Sequence, residues 1–97
     1  MYYVSRSEVD KKGIVKKREA FERHAKYHDA CEELRNRLGK EVMQLFKIKD
    51  EDVYTRDGNL RSTSPYFKDE YTEYTPYAWM IRLGNKGTIA YSVNFEP

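Results

Sequence analysis

Residues 77–95 alternate with a period of two on both sides of a short turn, and few folds accept that pattern. Tyr77, Trp79, Ile81 and Leu83 share one face of an expected strand. Gly84-Asn85-Lys86-Gly87 forms the turn, and Ile89, Tyr91, Val93 and Phe95 share one face of the return strand. The opposite face carries Ala78, Met80, Thr88, Ala90, Ser92 and Asn94, which are small and weakly polar. One side of this hairpin therefore demands a covering layer, and the other does not.

The preceding chain supplies a candidate layer. From Ile14 to Leu38, the residues Ala20, His24, Tyr27, Cys31, Leu34 and Leu38 recur at steps of four and three, with Phe21 and His28 beside them. The other side carries Glu19–Arg23, Glu22–Lys26 and Glu33–Arg37 at spacing i,i+4, each with the acid nearer the N-terminus, the stabilising order. Gly39 stands where a helix usually stops. The pattern predicts one long helix over 14–38. Upstream, Tyr2-Tyr3-Val4 reads as a short strand, and Ser5–Glu8 and Ser7–Asp10 both match a helix capping box. Downstream, Val42, Gln44, Phe46 and Ile48 alternate as a strand, Val53-Tyr54-Thr55 reads as another, and Asp57-Gly58-Asn59 as a turn. Residues 60–76 show no period and read as a long loop.

The expected architecture is α+β: one long N-terminal helix packed on a small antiparallel sheet, in the order β-α-β-(β)-β-β, ending in the C-terminal hairpin. Residues 1–97 are expected to form a single domain. Five Leu, four Ile and six Val make the aliphatic supply thin, so Tyr and Phe must build much of the core. A helix of this length spans ~37 Å at 1.5 Å per residue, against ~20–23 Å for the strands. Its N-terminal end should overhang the sheet.

Charge excludes more than it proposes. The net charge of +2 does not by itself demand a polyanionic or membrane partner. Residues 1–40 hold eleven Lys/Arg against seven Asp/Glu, and residues 41–97 hold seven against nine. The basic excess gathers at Lys11, Lys12, Lys16, Lys17 and Arg18, an expected nucleic-acid contact on the overhanging helix end, where cations oppose the helix dipole. No stretch approaches the ~18 apolar residues of a membrane span, and Met1–Arg6 lacks a signal-peptide pattern. With Cys31 the one cysteine, the expected location is the cytoplasm and no membrane is expected as a partner.

No catalytic signature emerges, and the chain is expected not to be an enzyme. His24, His28 and Cys31 fall at i, i+4 and i+7 of the expected helix, a spacing that suits zinc or copper. They share their stripe with Leu34 and Leu38, and no fourth ligand is in view, so neither a metal nor any other cofactor is expected. His24-Ala25-Lys26-Tyr27-His28 lacks the glutamate of a zinc-protease helix. Glu32-Glu33 and Asp50-Glu51-Asp52 read as solvated faces and turns.

The second candidate surface is aromatic and acidic. Tyr66, Phe67, Tyr71, Tyr74 and Tyr77 interleave with Asp69, Glu70 and Glu73. Tyrosine offers broad contact area at low entropic cost, and the acids disfavour nucleic acid, so this loop is expected to bind a basic site on a partner protein. A compact, charged, tyrosine-rich chain with no catalytic motif has the general look of accessory proteins of bacteriophages and other mobile elements. The leading expectation is a small non-enzymatic protein binder acting through Tyr66–Tyr77, and the alternative is a nucleic-acid binder acting through Lys11–Arg18. Homodimerisation through the small-residue face around Ala78, Met80 and Ala90, or through the overhanging helix, is compatible with either.

Overall fold

The computed structural model of the chain describes residues 1–70 and 77–97. One main helix packs on a five-stranded antiparallel sheet, so the α+β architecture holds. The element order does not. It runs β1 (Tyr2–Val9), β2 (Val15–His24), α1 (Tyr27–Phe46), a one-turn α2 (Asp50–Val53), β3 (Phe67–Asp69), β4 (Ala78–Arg82) and β5 (Thr88–Phe95), with sheet order β2-β1-β5-β4-β3.

The main departure lies between residues 14 and 26, expected to be helix and found as strand β2. The i,i+4 ion pairs expected there do not form. Glu19 instead approaches Arg6 and Lys17, and Arg23 bonds Glu96. Ala20, expected on the buried stripe, is exposed. The segment also satisfies a period of two, which pairs it with β1: Lys17 and Glu19 face the helix side, while Arg18 and Ala20 face away. The expected capping boxes dissolve for the same reason, because Ser5 and Ser7 lie inside β1 rather than at a helix start. Asp10 organises the β1–β2 turn, its carboxylate accepting the N–H groups of Lys12 and Ile14 at 2.9 Å each. The second departure is the expected strand 42–48, which is the last turn of α1 as far as Phe46. Val42 is fully buried, Phe46 is partly buried one turn later, and Gln44 between them is exposed, so the apparent alternation was a helical step of four.

The stripe holds from Cys31 onward. Ala30, Cys31, Leu34, Leu38 and Val42 are buried against Val4, Ile89, Tyr91 and Val93. Val53 and Leu60 carry the core across to Phe67, Trp79 and Ile81 on β3 and β4. Gly39 does not end the helix. It lies in mid-helix because Tyr54 crosses directly over it, the Tyr54 hydroxyl donating to the Arg35 carbonyl at 2.9 Å. A Cβ at residue 39 would fall inside the Tyr54 ring and hydroxyl. The helix ends instead at Lys47, in the left-handed conformation (φ 55°).

Cross-strand register sorts the paired strand residues to one of two faces, with irregularities in β2 at Lys16 and at Phe21–Glu22. On the helix side, Glu19, Arg6, Tyr91 and Trp79 form one row. Among the described residues, no helix or strand packs on the opposite side, where the register sets Ala20, Ser5, Ser92 and Ala78 in one row and Arg18, Ser7, Ala90, Met80 and Lys68 in the next. No described helix is long and apolar enough to cross a membrane.

Candidate nucleic-acid interface

The five expected cations lie on one β-hairpin rather than a helix, with Lys17 on the helix side of the sheet and Arg18 on the other. Lys11 and Lys12 occupy the β1–β2 turn, and Lys16, Lys17 and Arg18 open β2, the edge strand; all five are exposed. This removes the difficulty of cations at a helix N-terminus, since a hairpin has no comparable dipole.

The fold adds residues that the sequence keeps far away. The β4–β5 turn reaches the same end of the sheet, with Val9 paired to Thr88 and Thr88 to Arg82. Gly87 lies so close to the Val9 carbonyl and to Asp10 that any side chain there would collide with the backbone. Its φ of 97° is likewise a conformation that side chains disfavour. Two exposed cations, Arg82 and Lys86, thereby join the other five. Lys11, Lys12, Arg18, Arg82 and Lys86 have no ion-pair partner among the described residues. Lys16 approaches Asp10 at 3.6 Å and Lys17 approaches Glu19 at 3.4 Å.

Glu8 and Glu19 turn toward Arg6 on the helix side, while Glu22 of the same edge strand is exposed. Arg6 draws Glu8 to 2.6 Å and Glu41 of α1 to 2.6 Å, and approaches Glu19 at 3.5 Å. The Tyr91 hydroxyl donates to Glu41 as well. Burial pushes the Glu41 carboxyl up, but hydrogen bonds from Arg6 and Tyr91 outweigh it and hold the group below its ordinary range. The hydrogen bond to Glu41 raises the Arg6 guanidinium against the opposing effect of burial. Asp10 is held low chiefly by the Ile14 N–H. One partly buried arginine and one turn thus engage acids that would otherwise offset the outer lysines.

The aromatic loop is reorganised more severely. Phe67 is fully buried between the helix layer and Trp79, so it is not a surface anchor but a core residue. Tyr66 rests on Phe46 with ring centroids 4.5 Å apart, and Tyr77 is half-buried beside Trp79. Both are drawn in by the shortage of aliphatic side chains. Glu70 pairs with Lys68 at 2.9 Å, and Asp69 is exposed. Tyr71, Glu73 and Tyr74 lie outside the described residues.

The helical premise for His24, His28 and Cys31 also fails. His24 closes β2, His28 is exposed on the first turn of α1, and Cys31 is buried one turn on. Burial raises the Cys31 thiol. His24 instead bonds Glu33 at 2.6 Å, and Arg37 holds the other oxygen of Glu33 while lying over the Phe21 ring. His24, Glu33 and Arg37 line an open groove of about 600 Å³ between β2 and α1, together with Glu22, Asp29 and Glu32. No group of three His, Cys, Asp or Glu side chains among the described residues is arranged to hold a metal.

Compared with protein-family models, with curated proteins and with solved structures, the chain matches none.

Proposed function

We propose that the chain binds nucleic acid, engaging the phosphate backbone with the cationic end of its sheet. The carrying observation is the convergence of Arg82 and Lys86 on Lys11, Lys12, Lys16, Lys17 and Arg18 through two adjacent turns. A surface that adds distant cations to a basic run, while an internal arginine engages the neighbouring acids, suits a polyanion better than random surface charge would. The reading keeps the residues expected from the sequence and changes their support, from a helix end to a hairpin. The alternative, a partner protein gripped by the Tyr66–Tyr77 segment, loses Phe67 to the core and finds Glu70 already paired with Lys68.

The test is binding of a labelled oligonucleotide by the wild-type protein and by a Lys11→Ala, Lys12→Ala, Lys16→Ala triple variant. These side chains are exposed, so the variant should fold. The expected result is an affinity drop of at least tenfold at constant salt, since each phosphate contact contributes to affinity without regard to sequence. Unchanged affinity in the triple variant, or no binding by the wild type, would contradict the reading.

A further inference from the structure

The sheet surface opposite α1 adjoins the cationic end and has a composition unlike a sheet awaiting a protein layer. Its accessible floor is Ser7, Ala20, Ala90 and Ser92, while Ser5 and Ala78 are buried, Ser5 joined to Ser92 through their hydroxyls at 2.9 Å and accepting from Asn94 at 3.0 Å. Cations stand at its borders. Arg18 and Lys68 end one cross-strand row, and Arg82 flanks the next. At the far side, Tyr3 pairs with Asn94 on one strand and Arg23 on the other, and the Arg23 guanidinium lies 4.3 Å from the centre of the Tyr3 ring. Among the described residues, the acids adjoining this face are engaged, Glu70 by Lys68 and Glu96 by Arg23 at 2.6 Å.

Resting on the reading of the basic end, we infer that this open face takes a single-stranded nucleic acid, its phosphates following the border cations and its bases lying over the small-residue floor and the Tyr3–Arg23 pair. Three physical arguments select that occupant. A floor of alanine and serine leaves room for flat rings, and the partly exposed Ser7 and Ser92 lie on it. Aromatic rings and guanidinium planes are the usual stacking surfaces for unpaired bases. Short side chains cannot reach into a duplex groove, so a double strand would meet only the border cations. A second copy fits poorly. Strands about 4.8 Å apart and about six residues long give a face of roughly 400 Å², about half of the ~800 Å² per partner in a standard interface. Among the described residues, the large aliphatic side chains on this face are Met80 near its centre and Val9 and Val15 at the cationic end.

The test is fluorescence anisotropy with a labelled 12-nucleotide oligouridine and a 12-base-pair duplex, using wild type, Tyr3→Leu and Ala90→Asp, with folding checked by circular dichroism. Single strand should bind at least tenfold tighter than duplex, and each substitution should weaken single-strand binding at least tenfold while the fold persists. Equal affinity for duplex, with both variants unaffected and the triple lysine variant impaired, would overturn this inference and leave the basic-end reading standing. No binding of either oligomer would overturn both. Displacement of the oligouridine by an equimolar polyglutamate peptide would overturn it in favour of an acidic protein partner.

Discussion

At the scale of single residues, Glu41 links the helix to the sheet. Its carboxylate accepts two bonds from Arg6, at 2.9 and 2.6 Å, and one from the Tyr91 hydroxyl. Removing the charge leaves a largely buried guanidinium short of acceptors, although Glu8 and Glu19 remain. Glu41→Gln should therefore cost about 2 kcal/mol, within the usual range for an impaired buried, charge-assisted network. The sign of its pH dependence follows from the depressed carboxyl. A group whose folded pKa lies below its unfolded one contributes stability above the unfolded value and loses it as pH falls through the folded one. Glu41 is depressed in this way, and so is Glu33, where bonds from His24 and Arg37 outweigh burial. Stability should thus decline as pH drops below the ordinary carboxylate range of about 4.3. Urea midpoints at pH 7 and pH 3.5 should differ less for Glu41→Gln than for wild type. An equal difference would remove Glu41 from the account.

At the scale of elements, the clearest case is Gly39. Helix propensity alone favours Gly39→Ala by about 1 kcal/mol. The crossing of Tyr54 reverses the sign, because the new Cβ would displace a half-buried ring and its bond to Arg35. Gly39→Ala should destabilise by about 1–3 kcal/mol, the usual cost of overpacking. Adding Tyr54→Leu should cancel much of that loss, and a double-mutant cycle on thermal or urea unfolding measures the coupling. Additive effects would mean that the two residues do not meet. Gly39 also shows how the sequence misled. A glycine after a periodic stripe reads as a helix end, and the ring that makes glycine necessary arrives from fifteen residues downstream. The β2 segment misled for a different reason. Glu19, Glu22, Arg23 and Lys26 fit helical ion pairs as well as they fit a charged edge strand, and only pairing with Tyr2–Val9 decides between them. By contrast, the C-terminal hairpin was legible almost residue by residue, since strict alternation around Gly84–Gly87 admits one register.

At the scale of the whole molecule, the expected layers were right and the expected order was not, because a charged segment changed from helix to edge strand. The aromatic loop was misread where burial mattered. Phe67 and Tyr66 entered the core that the few aliphatic residues could not fill. The basic run was visible in the sequence, but its partners Arg82 and Lys86 were not, since only antiparallel pairing sets the two turns side by side. The central claim is that these turns act as one cationic surface. It is tested most directly by the salt dependence of affinity for a single-stranded oligonucleotide, in wild type and in Arg82→Ala, Lys86→Ala. Each lost phosphate contact should lower the slope of log K against log salt by about 0.7 for a single strand. The account predicts that the double substitution reduces the slope by about 1.4, twice that increment. A slope equal to that of wild type would show that Arg82 and Lys86 take no part, and would contradict the claim.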